Sequence, residues 1–221
     1  MATDDFAEAI ERADELYYQR SAEGAVEQSL ALLTDQQFES LWRLARAYFF
    51  LGQEAASTKI KRYHHASGIE AGRKAVQISA ERVEGHFWAG VNLALFAEAT
   101  GGLKGALSLL HARRDLAHAS KIAADYHDAG PLRVLGRLYH KAPRFLGGSF
   151  KRSHECFDQA LAIAPSNSVT LIYAAELALD LKEQNRATEL FEKIIALPID
   201  PAWEFENRRD KARAQSMLEQ L

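Results

Sequence analysis

Apolar residues recur along the whole chain at intervals of three and four, and no segment alternates apolar with polar for long. That period predicts helices at about 4–19, 22–33, 37–51, 54–79, 83–99, 103–124, 128–141, 150–164, 167–182, 185–197 and 204–221. Breaks fall where the backbone chemistry supplies them. Gly52 follows one apolar run, Gly101-Gly102 follow another, and Pro143 with Gly147-Gly148 separate two more. Ser166 and Asn167 after Pro165 make a helix-start signal. Connections this short predict that each helix folds back on the one before it. Helix 83–99 is apolar nearly all round, which predicts a central, buried element. Its small residues Gly85, Ala89, Gly90, Ala94 and Ala97 either let neighbouring backbones approach or leave room for a lipid-like ligand.

Comparing the chain with itself adds a longer period. Leu132, Leu135-Gly136 and Tyr139 share their spacing with Leu41, Leu44-Ala45 and Tyr48, and with Leu171, Ala174-Ala175 and Ala178. In the helices that follow, Ser153, Phe157 and Ala160 match Ala187, Phe191 and Ile194 at a shift of 34 residues. A small residue on the first helix of a pair admits the second helix closely, and an aromatic fills the gap beside the turn. Thirty-four residues is the interval of the tetratricopeptide repeat, which this chain resembles. The predicted fold is all-α: a tetratricopeptide-like right-handed superhelix of antiparallel helix pairs, about 11 helices in one domain over 1–221. The repeat is stretched in places. Trp42 to Trp88 is 46 residues and Trp88 to Arg133 is 45, which predicts extended middle helices around 57–67 and 103–124 and a capping helix at 204–221. Gly147-Gly148 then read as a turn between paired helices. A phosphate loop would need a preceding strand and a Lys and Ser/Thr at fixed spacing, and the strand is missing.

Three motifs carry a more specific likeness: "LWRLARAYFFLG" (41–52), "EGHFWAGVNLALFAEATGG" (84–102) and "AGPLRVLGRLYHKAP" (129–143). Together they resemble the regulator of microtubule dynamics family, which has a similar Trp-Arg-Leu-Ala-Arg element. They also resemble the bacterial TRAP-transporter-associated lipoprotein, the T-component, which shares the His-aromatic-Trp helix and the Gly-Pro-x-x-x-Leu-Gly-x-x-Tyr helix. The likeness spans about residues 10–215. The T-component resemblance implies a periplasmic, membrane-anchored protein that pairs with a substrate-binding protein and handles a hydrophobic ligand. The chain departs from that pattern in having no N-terminal lipobox cysteine; Cys156 lies mid-helix.

Composition narrows the function classes. A net charge of −3 argues against nucleic-acid binding. The lone Cys156 excludes an internal disulfide framework. Gly85–Ala97, the longest uncharged run without proline, is too short to span a bilayer. The acidic first 20 residues are unlike a signal peptide, so the sequence as written is expected to be cytoplasmic, or periplasmic if an export signal has been removed. Charge is uneven: ten acids and two bases precede Ser40, whereas six Lys/Arg and no acid lie between Ala129 and His154. Such a split steers an anionic partner or pairs subunits of a homo-oligomer, or simply makes a solvated face.

One stripe is a candidate for recognition. Trp42, Arg46 and Phe49, then Trp88, Asn92 and Leu95, then Arg133, Arg137 and His140, then Ile172, Glu176 and Leu179 are each spaced i, i+4, i+7 and so share one helical face. If the first helices of the pairs line a concave surface, Trp gives contact area and Arg pairs with carboxylates; the alternative is that the tryptophans are core. His111, Asp115 and His118 have the spacing for a metal, but no HExxH or CxxC accompanies them, and no metal or cofactor is expected. No nucleophile-base pair or dinucleotide fingerprint is present, and His154 is too near Cys156 along the helix to face it. The expected function is a non-catalytic scaffold binding a protein or peptide on its concave face. The alternative is a transporter-associated protein holding a small hydrophobic or carboxylate ligand.

Overall fold

The computed structural model describes residues 2–34 and 36–221, with side chains from residue 4 onward. Among the described residues there are eleven α-helices and no strand: α1 (Ala2–Tyr18), α2 (Ala25–Ala31), α3 (Phe38–Glu54), α4 (Thr58–Ile78), α5 (Val83–Thr100), α6 (Gly102–Ile122), α7 (Tyr126–Lys141), α8 (Phe150–Ile163), α9 (Ser168–Asp180), α10 (Gln184–Ala196) and α11 (Glu204–Leu218). They group into two compact units, 1–123 and 124–221.

In the first unit the helices are stacked in series. α2 packs on α1 and α3, α4 on α3 and α5, and α6 on α5, while the odd-numbered helices also touch one another, α1 with α3 and α3 with α5. α5 takes the central place that its all-round apolarity predicts, burying Phe87, Trp88, Ala89, Val91 and Leu93. Its small residues serve close packing. A Cβ on Gly90 would lie 2.8 Å from Leu116 of α6, and one on Gly72 of α4 would lie 2.8 Å from Ala89. Helices α4 and α6 are 21 residues long each, in the region where the repeat is stretched. Gly52 does not end its helix. α3 runs on to Glu54, and Gly52 is buried because the His65 ring of α4 occupies the place its side chain would take.

The second unit repeats the plan as α7–α8–α9–α10–α11, with α9 also touching α7 and α11. Its joint is the one the 34-residue match marks. Phe157 of α8 is 1% exposed and lies over Gly136 of α7, where a Cβ would meet the ring at 2.6 Å. Ser153 one turn earlier donates its hydroxyl to the Gly136 carbonyl at 2.8 Å. The first pair of the chain uses the same device, Ser29 of α2 donating to the Ala13 carbonyl of α1 at 2.7 Å. Phe191 of α10 packs with Leu171, Ala175 and Ala178 of α9 in the equivalent cluster.

The connections explain the boundaries. Ser57, Ser149 and Asn167 cap α4, α8 and α9, accepting from the amides of Ile60, Arg152 and Thr170. Residues 144–146 form a single 3-10 turn, Gly147 takes the left-handed conformation (φ 82°), and Gly148 donates to the Pro143 carbonyl. No room exists for a side chain at Gly148, whose Cβ would strike the Ala142 carbonyl. This is a turn between paired helices with its amides spent on the chain itself. At the start of α7, His127, Asp128 and Ala129 are all left-handed (φ 53°, 53° and 59°), so regular right-handed helix begins only at Gly130-Pro131. A non-glycine residue there is strained by about 1–2 kcal/mol. The strain is held by Arg133, which donates to the Asp128 carbonyl at 2.8 Å and the His127 carbonyl at 3.3 Å.

Candidate functional site

The stripe residues are divided between the two units. In the first, Trp42 and Arg46 sit on α3 beside α1, where a carboxylate organises them. Asp14 of α1 takes two bonds from Arg43, through Nε at 2.9 Å and Nη2 at 2.8 Å, and one from Arg46 at 2.5 Å. Arg43 also reaches Glu39 at 2.7 Å and lies over the Trp42 ring at 4.1 Å; Arg46 lies over Tyr17 at 3.9 Å. The Trp42 indole N–H donates to Glu39 at 2.9 Å, and Arg82 closes the far side of Glu39 at 2.9 Å. Burial alone would raise the Asp14 pKa, but the Arg43 hydrogen bonds and the Arg46 charge outweigh it and hold the carboxyl below its ordinary value. Glu39 is lowered in the same way, burial being overcome by Trp42, Arg43 and Arg82. The result is a rigid alternation of aromatic and guanidinium on α1 and α3, with its charges largely matched.

Trp88 and Asn92 are not on that surface. Trp88 is 1% exposed and Asn92 fully buried, so both belong to the interior; Phe49, half-buried, packs on Trp88 with ring centroids 5.5 Å apart. Asn92 is a joint of three helices. Its amide donates to the Ala45 carbonyl of α3 and to the Trp88 carbonyl, both at 2.9 Å, and its oxygen accepts from His65 Nδ1 of α4 at 3.1 Å. Because the Asn92 amide is committed to two carbonyls, its oxygen must face His65, which places a proton on Nδ1.

In the second unit Arg133 is buried and spends its donors on the His127 and Asp128 carbonyls and on Asn167 at 3.4 Å, with Trp203 5.3 Å from its guanidinium carbon. It is a staple for the left-handed turn. Arg137 and His140 face α9 instead. Arg137 pairs with Glu176 at 2.5 Å and lies over Tyr173 at 4.4 Å; Arg213 of α11 reaches the other Glu176 oxygen at 2.5 Å. His140 Nε2 donates to Asp180 at 2.7 Å, and Lys141 approaches the same carboxylate at 3.3 Å. Three cations thus face two carboxylates across α7, α9 and α11. Burial pushes the His140 pKa down, and the Lys141 and Arg137 charges add to that against the opposing pull of Asp180.

His65 and His140 therefore share a titration. Burial lowers His65 as well, beyond what its Asn92 bond restores. Unfolding frees both to bind protons near the ordinary histidine value of about 6.5, whereas the folded chain resists until the pH is lower. Stability is full above that value and falls as the pH drops through it. Melting at a pH of about 5.5 is expected several degrees below melting at about 7.5, and a His64→Gln/His65→Gln/His140→Gln chain should lose most of that difference, since burial lowers His64 in the same direction. Equal melting temperatures for the parent chain at the two values would contradict the assignment.

His111, Asp115 and His118 form no metal cluster; among the described residues no group of three or more His, Cys, Asp or Glu side chains has the geometry to hold an ion. His118 packs edge-on against His86 at 4.4 Å, and Asp115 approaches Arg114. Burial pushes the Cys156 thiol up to about 11, which leaves it protonated and unreactive at neutral pH. The side chains paired with or beside the stripe that periodicity missed are Asp14, Glu39, Arg43, Asp180 and Arg213. Asp14 and Arg43 lie 29 residues apart, and no local spacing links them.

A family model for the TRAP transporter T-component matches residues 15–221. The chain belongs to that family. The match takes in all of the second unit and residues 15–123 of the first, so the α7–α9–α11 face lies on family sequence, whereas Asp14 of the α1–α3 face precedes it. The comparison with curated proteins gives no match. Among solved structures, this T-component family member is similar to the crystal structure of TTC0263, a thermophilic TPR protein in Thermus thermophilus. The two are 19% identical, the alignment covers 95% of this chain and 98% of that one, and the TM-score is 0.70. It is also similar to the crystal structure of MamA protein, at 16% identity, 96% coverage of each chain and a TM-score of 0.52. At these identities the likeness shows the fold, a tetratricopeptide-type stack of helix pairs. Among the described residues no helix is long and apolar enough to cross a membrane.

Proposed function

We propose that this T-component family member is a non-catalytic helical scaffold that holds a protein or peptide partner on the exposed edges of its odd-numbered helices. The observation that carries the reading is the ladder on α7, α9 and α11, in which Arg137 is held over Tyr173 and against Glu176 while keeping part of its side chain in solvent. A guanidinium fixed in this way, with cations in excess over carboxylates, suits capture of a partner carboxylate at little cost in side-chain entropy. Trp42, cradled by Arg43 and Glu39, supplies a comparable anchor on the first unit. A tagged chain carrying Trp42→Ala with Arg137→Ala is expected to lose a partner that the parent chain captures from its own cells, with the circular dichroism spectrum unchanged. Capture that survives both changes would reduce the two residues to structural ones.

The family match favours a second reading, a transporter-associated component that holds a small hydrophobic or carboxylate ligand beside a substrate-binding partner on the periplasmic side. Native mass spectrometry of gently purified protein separates the two. A retained small molecule supports ligand holding, and a clean chain mass counts against it.

A further inference from the structure

Helix α1 buries Ala13, Leu16 and Tyr17 against its neighbours and leaves its other side open. That side forms a cleft of about 590 Å³ along the helix. Phe6, Ile10 and the 57%-exposed Tyr18 give it an apolar floor. Glu11, Asp14 and Glu15 line it too, and Glu39 of α3 closes one end. Phe6 and Ile10 are one turn apart, as are Glu11 and Glu15, so two parallel rows run along the helix, one apolar and one acidic. The acids at the closed end are already matched, Asp14 by Arg43 and Arg46 and Glu39 by Arg43 and Arg82. The outer row is different. Glu15 holds only Arg12, and Glu11 takes part in none of the described ion pairs. α1 carries Asp4, Asp5, Glu8, Glu11, Asp14 and Glu15 against the single base Arg12.

We propose that this cleft docks a lysine- and arginine-rich amphipathic helix of a protein partner, its aliphatic anchors between Phe6, Ile10 and Tyr18 and its cations beside Glu11 and Glu15. The proposal rests on the scaffold reading above and gives the partner a chemistry. Two observations select that occupant. An open trough along one helix, with apolar positions a turn apart, is the complement of another helix laid in it. The net negative charge of α1, with Glu11 outside the described ion pairs and Glu15 met by the exposed Arg12, favours a cationic partner and repels an anionic one. The Arg43–Asp14 lock prepares the trough by holding α1 on α3.

The probe is a labelled synthetic helix with leucines on one face and lysines on its flanks, compared with a scrambled peptide of identical composition and charge. By fluorescence anisotropy the ordered peptide is expected to bind at least about tenfold tighter than the scrambled one. Glu11→Lys/Glu15→Lys and, separately, Ile10→Asp should each remove about tenfold of that affinity, and added salt should weaken it. Equal binding of the two peptides, or indifference to both substitutions, overturns the proposal. So does self-association of the chain that Glu11→Lys/Glu15→Lys abolishes, because the basic start of α4 in a second copy, with Ile60 and Tyr63 exposed, would then be the occupant. The wider reading fails separately. If Trp42→Ala/Arg137→Ala loses the cellular partner while Glu11→Lys/Glu15→Lys keeps it, the scaffold stands and this cleft is not its docking site.

Discussion

Truncating Phe157 to alanine is expected to lower the unfolding free energy by about 4 kcal/mol, the middle of the range for a buried aromatic. The ring is 1% exposed, rests on Gly136, and packs with Ala174 and Leu177 of the next helix. Those contacts join α7, α8 and α9, so the cavity left behind borders three rigid elements and has little freedom to collapse. Urea denaturation followed by circular dichroism measures the loss directly. Gly136→Ala attacks the same joint from the other side, since its Cβ would sit 2.6 Å from the ring. Because the two changes share one space, Gly136→Ala combined with Phe157→Leu should be less harmful than the sum of the single losses. Strict additivity, or a Phe157→Ala loss below about 1 kcal/mol, would show that the ring does not set the spacing of this pair.

Asn92→Ala is the second large loss, about 3 kcal/mol, made up of buried hydrogen bonds and the space the side chain filled. The Ala45 carbonyl on α3 and His65 on α4 would both lose their Asn92 partner in the interior of the first unit. Asn92→Asp should be worse than a near-isosteric change suggests. A carboxylate cannot donate to the Ala45 and Trp88 carbonyls, and its charge would be buried with only His65 to meet it. That pairing would draw a proton onto the imidazole, so the Asp variant is expected to move its stability maximum to lower pH. Chemical denaturation of both variants across the histidine range checks loss and shift together. A silent Asn92→Ala would mean that the three-helix joint is made by apolar packing alone.

Much of the fold is legible along the chain because helix packing repeats. Gly136, Ser153 and Phe157 stand out when the chain is slid over itself, and the structure puts them in one joint. The turn at Gly147-Gly148 and the cap at Asn167 follow from local backbone chemistry. Gly52 misleads for an equally local reason. A glycine after an apolar run has the sequence of a helix stop, yet here its missing side chain makes room for His65, thirteen residues on. The stripe misleads similarly. Trp42, Trp88, Arg133 and Arg137 share a spacing, but Trp88 and Arg133 are interior and Trp42 and Arg137 keep contact with solvent. A period states which residues share a face and is silent about what lies across from it.

The sequence by itself determined the helices, their order and the close approach within each pair, because these depend on residues less than one repeat apart. Only the tertiary structure decided which charged and aromatic side chains are structural joints and which remain exposed. Asp14 meets Arg43 and Arg46, Glu176 meets Arg137 and Arg213, and His140 meets Asp180 across distances of roughly a repeat. Whether such a group is matched, buried or left facing solvent depends on the helices stacked beside it, and so does whatever it can bind.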